Sequence, residues 1–179
     1  MSKCPTGVLQ TYQEKLVVTM PKYWTQPKKA PRTPPKECNC RKRDDCPVQG
    51  KCLQEGVIYQ ATVNRDDGVV DTYIGLSAPP FKDRFRNHKS SFKTRNPKNS
   101  TRLSKHIWKL EDENIGYNVS WEIVSRAKPY NHVTNTCQLC IREKFFIIFK
   151  PEMASINERK KIAGPCLHKH SKFLKKSKS

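Results

Sequence analysis

Eight cysteines, a carboxylate inside an apolar run, and an arginine one helical turn before a histidine are the residues of this 179-residue chain best suited to chemistry. Cys137-x-x-Cys140 can turn two thiolates toward one tetrahedral zinc ion, and Cys46-x5-Cys52 offers another pair four residues before a β-prone run. Taken as one site, these four leave Cys38-x-Cys40 with Cys166 and either His168 or His170 for a second, which would tie the ends of a domain together. Other groupings of the same ligands stay open. A redox Cys-x-x-Cys is the competing use, disfavoured because a thioredoxin-like βαβ pattern is missing; unligated thiols are the bland alternative. Glu143 shares a helical face with Cys140 and Ile147, which carries its carboxylate toward a sheet, where it calls for a cation. Its ordinary reading is a solvated glutamate beside Lys144. Arg84 offers a planar, permanently charged fork that matches phosphate oxygens, against the reading that it is one of ten lysines and arginines between Lys82 and Lys109. His88 either titrates near neutrality as a base or fills a stripe with Phe81, Phe85 and Phe92.

The elements that must position these groups are legible from pattern. Val57 to Val63 and Val69 to Leu76 are β-prone around an Asp67-Gly68 turn, which predicts an antiparallel hairpin with Tyr59 and Tyr73 at nearly the same level of the sheet. Most tyrosines in such hairpins are half-buried packing residues. Pro79-Pro80 introduces a helix whose Phe81, Phe85, His88 and Phe92 recur at i, i+4, i+7 and i+11, so that its apolar face packs on the sheet. Ser100 is placed to cap a second helix bearing Leu103, Ile107 and Leu110, and Val119, Trp121 and Ile123 alternate as a third strand. Cys137 to Phe149 reads as an apolar helix ended by Pro151. The expected class is α/β (α+β), with three strands flanked by helices.

Gly56-Val57-Ile58-Tyr59, Tyr73-Ile74-Gly75, Phe81-x-x-Arg84-x-x-x-His88, Glu143 and Asn157 follow one another in an order that resembles the GIY-YIG nucleases, over roughly residues 46 to 168. The first motif departs from the family in reading Val-Ile-Tyr, with Gly56 just before it. With the cysteine set, the chain resembles in particular the endonuclease module of Penelope-like retroelements. The resemblance implies a small nuclease fold with a three-stranded antiparallel sheet and structural Zn²⁺ on the cysteines and His168. It implies hydrolysis of DNA phosphodiesters, with Tyr59 as general base, Tyr73 as its hydrogen-bonded partner and His88 as a competing base. Arg84 would grip phosphate, Glu143 would hold a single Mg²⁺, and Asn157 would orient phosphate or water, or serve as an ordinary cap. Cleavage of the retroelement type would nick a chromosomal target whose 3′ end primes a reverse transcriptase. No such domain lies in this chain, so a reverse transcriptase domain of the parent element is the implied partner. The alternative function is a catalytically silent, zinc-stapled nucleic-acid-binding module.

Charge supports a polyanionic partner: 35 lysines and arginines against 16 acids leave +19, and binding to DNA would weaken steeply with salt. The longest apolar run, Phe145 to Phe149, is far short of the roughly 20 residues that span a bilayer. The amino terminus lacks a secretory pattern and Ser2 excludes the usual myristoylation signal, so an intracellular, nuclear location is expected. In a reducing compartment, cysteines serve metals more readily than disulfides. Prolines among lysines over residues 21 to 37 read as a linker, and Val8 to Val18 as a short element left from an upstream domain. The expected organisation is residues 1–37 as linker or remnant, 38–168 as the zinc-stapled nuclease domain, and 169–179 as a basic tail. The five lysines of that tail suit either nuclear import or phosphate binding.

Overall fold

The computed structural model describes residues 36–42, 44–158, 166 and 168. The element expected over residues 8–18, most of the linker, His170 and the basic tail lie outside them. The chain divides into Met1–Pro35 and Lys36–Ser179, and the described residues all belong to the second unit. The carbonyl of Glu37 accepts the Leu53 N–H at 2.9 Å and its carboxylate accepts from the Gln54 amide. Glu37 therefore belongs with the folded unit, not with the linker.

The architecture is α+β. Strands β1 (Val57–Arg65) and β2 (Val70–Ser77) form the expected hairpin, paired from Val57↔Ser77 to Asn64↔Val70, and β3 (Tyr117–Arg126) lies antiparallel on the other edge of β1. Alternation along β1 decides what covers each face. Val57, Tyr59, Ala61 and Val63 are buried in one cluster with Phe81 of α1 (Phe81–Lys93) and with Leu103, Ile107 and Leu110 of α2 (Arg102–Asp112). Ile58 and Ile74 are buried in a second cluster with Leu139 of α3 (Gln138–Phe149), against which Cys140 and Ile147 also pack. Three helices thus flank a three-stranded sheet on two faces. Among the described residues no helix is long and apolar enough to cross a membrane.

Local details depart from the sequence pattern in two places. The cap of α2 is Thr101 instead of Ser100: its hydroxyl accepts the Ser104 N–H at 3.1 Å, one residue later than expected. A short hairpin of β4 (Tyr130–Asn131) and β5 (Thr136–Cys137), which periodicity did not reveal, delivers Cys137 to the start of α3. The first turn of α1 has no side-chain cap. Its Phe81 and Lys82 N–H groups are met instead by the carbonyls of Gln54 at 3.0 Å and Cys52 at 2.8 Å, so the cysteine-rich segment closes the helix end.

Two features aim Tyr59. Between β1 and β3 the register slips by one residue, pairing Ile58 with Ser125 but Tyr59 with Ile123, and such a bulge re-aims the side chain beside it. Opposite Tyr59 stands Gly75, where a Cβ would fall 2.4 Å from the phenol oxygen and 2.9 Å from the Tyr73 ring. Both rings are buried and cannot yield. Gly75→Ala is expected to lower stability by about 1–3 kcal/mol, as overpacked cores do, and to displace the phenol. Urea unfolding and the near-ultraviolet tyrosine signal check this; an unchanged midpoint and spectrum would mean that the ring moves freely.

Candidate active site and metal centres

Tyr59 is the hub of the site. Its side chain is 0% exposed, its oxygen accepts the Arg84 Nε–H at 3.0 Å, and His88 Nε2 lies 2.7 Å away. The spacing Arg84-x-x-x-His88 places both side chains within reach of one phenol, one helical turn apart. The guanidinium also acts on Tyr73 through charge and hydrogen bonding, and the two phenol rings stand 6.5 Å apart. Burial pushes both phenols above their ordinary range, with Arg84 opposing it at each. The charge of Arg84 is in turn secured by the two phenols against the effect of burial.

His88 settles between its two readings. It is 1% exposed, tilted against Trp121 with ring centroids 5.2 Å apart and close to Phe92, so it fills the aromatic stripe. It also holds Tyr59. Burial, helped by the Arg84 charge, lowers it to about 3, so the imidazole stays neutral at physiological pH. Its Nδ1 is buried with no partner among the described residues. Its contact with the rest of the site is through Nε2 and the Tyr59 phenol. Trp121, which periodicity marked only as a strand residue, completes the cage by packing on Tyr59, Phe81, Phe85 and His88.

Glu143 projects from α3 close enough for its charge to raise both phenols and to feel Arg84. Burial raises its carboxyl to about 7, with Arg84 and Lys144 pulling the other way. Among the described residues no side chain hydrogen-bonds to it. One half-buried carboxylate facing the site fits a hard cation that takes its other ligands from phosphate and water. Asn157 has a different setting: its Oδ1 accepts the Ile74 N–H at 2.8 Å and its Nδ2 donates to the Ile74 carbonyl at 2.9 Å. Thr72 N–H donates to Ser155 Oγ at 2.8 Å, and Ile156 N–H to the Thr72 carbonyl at 2.9 Å. Residues 155 to 157 therefore cover the open edge of β2 and fix the strand that carries Tyr73. The amide of Asn157 is engaged as a clamp on the backbone of β2, the setting that its reading as a cap describes.

Among the described residues seven cysteines and His168 form two sets. Cys38, Cys40, Cys46 and Cys52 lie together, as do Cys137, Cys140, Cys166 and His168, with the ligand atoms of each set within 4.8 Å of one another. Sulfurs around zinc at about 2.3 Å stand about 3.8 Å apart, and Cys40–Cys52 at 3.8 Å and Cys38–Cys52 at 3.5 Å approach that spacing. In the second set, His168 Nδ1 lies 3.5 Å from Cys137 and 3.2 Å from Cys140. Both sets could hold a zinc ion. Burial and the neighbouring thiols push Cys52 up to about 12, whereas at Cys46 the N–H groups of Val48 and Gly50 outweigh burial and lower the thiol to about 7. Four such thiols ionise together only around a cation. Burial also shifts His168 downward from its ordinary value, toward the neutral form that ligates.

This grouping corrects the expected one, which joined Cys46 and Cys52 to Cys137 and Cys140. The sheet stands between those pairs: Cys46 and Cys52 pack in the α1/α2 cluster, whereas Cys137 packs in the α3 cluster. Each set instead sits at the root of a site-bearing helix. The first supplies the carbonyl that closes α1, which carries Arg84 and His88, and the second begins at the residue flanking α3, which carries Glu143. Comparison of the chain with protein-family models, with curated proteins and with solved structures found no match.

Proposed function

We propose that the chain is a metal-dependent DNA endonuclease of the GIY-YIG type, nicking target DNA as the endonuclease modules of Penelope-like retroelements do. The observation that carries this reading is the meeting of Arg84, Tyr59, Tyr73 and the Glu143 field at one point of the sheet. Hydrolysis of a phosphodiester needs a water stripped of a proton, a cation on the phosphate and help for the departing 3′ oxygen. Tyr59 is the base, oriented by His88, with the charge of Arg84 opposing the rise that burial imposes on its phenol. Tyr73 shares that proton network. Arg84 gives its Nε–H to the phenol and has further N–H groups for phosphate oxygens. Glu143 is the protein ligand for Mg²⁺, which when bound supplies charge stabilisation to the phosphate and the leaving oxygen. A reverse transcriptase would extend the 3′ end so released, and the chain would work in the nucleus.

A second reading is favoured by one observation, the complete burial of Tyr59, which closes the phenol to water in this structure. It is a silent, zinc-stapled nucleic-acid-binding module. Incubation with supercoiled plasmid with and without Mg²⁺ separates the two. An endonuclease converts the plasmid to open circles only with the metal; a binder retards it unchanged. Arg84→Lys is expected to lower nicking by about tenfold or more although charge is kept, since a compact ammonium cannot reproduce the planar fork that reaches the phenol and grips phosphate in two prongs. Wild-type turnover in that variant would return Arg84 to the general basic surface.

A further inference from the structure

Two grooves of opposite character run along the sides of α1. The first, about 400 Å³, is lined by Arg84, Asn87, Ser90, Ser91, Thr94 and Asn96. Apart from Arg84, every one of these side chains is neutral and able to hydrogen-bond. The second, about 550 Å³, has Lys82, Arg86 and Lys89 around a floor that includes Leu53 and Phe85. Asp83 is the one carboxylate lining either groove, and Arg86 pairs with it. The Lys82 ammonium donates to Asn39 Oδ1 at 2.5 Å, and that of Lys89 lies 4.9 Å above the Phe85 ring, so the cations are gathered on this side. Helical geometry makes two stripes of these residues: Arg84, Asn87 and Ser91 at i, i+3 and i+7, and Lys82, Arg86 and Lys89 at i, i+4 and i+7.

We infer that double-stranded DNA straddles α1, the strand to be cut lying in the neutral groove that contains Arg84 and the complementary strand lying in the basic groove beyond the helix. A helix with its side chains is about 10–12 Å across, and the major groove of B-form DNA is about 12 Å wide, so one α-helix fits between two backbones. The neutral groove leads directly from the guanidinium that bonds Tyr59, which makes it the path of the scissile strand. Its amides and hydroxyls fix register on phosphate and sugar oxygens without adding charge. The basic groove contacts only a second backbone, and its cations supply salt-sensitive affinity. The inference rests on the nuclease reading for what happens to the strand, but the seating of the duplex is testable without cleavage.

The test is fluorescence anisotropy of the full-length chain without Mg²⁺, on a labelled duplex and on its single strand, over about 50–200 mM salt. Arg86→Ala combined with Lys89→Ala should weaken duplex binding about tenfold and reduce the log–log salt slope by about 1.8, the loss of two phosphate contacts. Single-strand binding should change by less than about twofold, because that strand lies in the other groove. Asn87→Glu should weaken binding of both forms, whereas Asn87→Arg should strengthen both and steepen the duplex slope by about 0.9. Arg86, Asn87 and Lys89 are all exposed on a formed helix, so the fold is kept. Equal loss for single strand and duplex in the double variant, or no response to either change at Asn87, would overturn the seating. Plasmid left uncut by a chain that shows these binding shifts would instead overturn the nuclease reading alone.

Discussion

Glu143→Gln is expected to lower Mg²⁺-dependent nicking by about 100-fold or more while leaving DNA binding near the wild-type level. The charge of this carboxylate reaches both phenols and Arg84, whereas affinity for DNA would come from the dispersed excess of lysine and arginine. Gel retardation and plasmid nicking should therefore separate in this variant. Retained cleavage at matched Mg²⁺ would remove Glu143 from the metal. The raised carboxyl adds a signature that does not depend on turnover. Between its ordinary 4.5 and about 7, the folded metal-free protein keeps a proton that the unfolded chain gives up. Stability is then lost as pH rises through that window, and Glu143→Gln should abolish this component. Mg²⁺ must displace the same proton, so its affinity should fall about tenfold per pH unit below about 7. Calorimetric titration of the metal at pH 6 and 8 reads it directly; a flat response would show that no carboxyl of this kind faces the ion.

The purified chain is expected to carry about two zinc ions, and their loss should remove the fold more thoroughly than any change at the site. Cys52→Ser and Cys137→Ser should each lose about one equivalent by atomic emission and lower the melting temperature by about 10 °C or more. The double variant decides the grouping. If Cys52 and Cys137 belong to different sites, as the structure has them, the two losses add and no zinc remains. If they shared one site, the double variant would lose no more metal than either single one. Consequences should also divide by helix. Loss of the first site withdraws the Cys52 carbonyl that closes α1 and should disturb Arg84, whereas loss of the second frees the start of α3 and should disturb Glu143. A folded protein without zinc would leave the seven cysteines of the two sets as free thiols.

What the sequence by itself determined was whatever rests on local pattern. The turn at Asp67-Gly68, the alternation of Val119, Trp121 and Ile123, and the 3.6-residue stripe of Phe81, Phe85, His88 and Phe92 each predicted an element that the structure contains. Motif order likewise singled out Tyr59, Tyr73, Arg84, His88 and Glu143, and these act on one another in three dimensions. Tertiary structure decided the rest, because it depends on which face of the sheet each element covers. Ligand types and spacing marked the cysteines, but only the sheet lying between Cys52 and Cys137 divides them into their two sets. A histidine beside three phenylalanines fits base and filler equally well; only the tertiary structure buries His88 against Trp121, keeps it neutral and sets Nε2 on Tyr59. Asn157 was marked by its place in the chain, but only the tertiary structure brings its amide to the otherwise unpaired edge of β2, where it bonds the Ile74 backbone. Periodicity is a property of neighbours along the chain, whereas burial, ligand sharing and edge pairing are properties of segments that meet only when the sheet has formed.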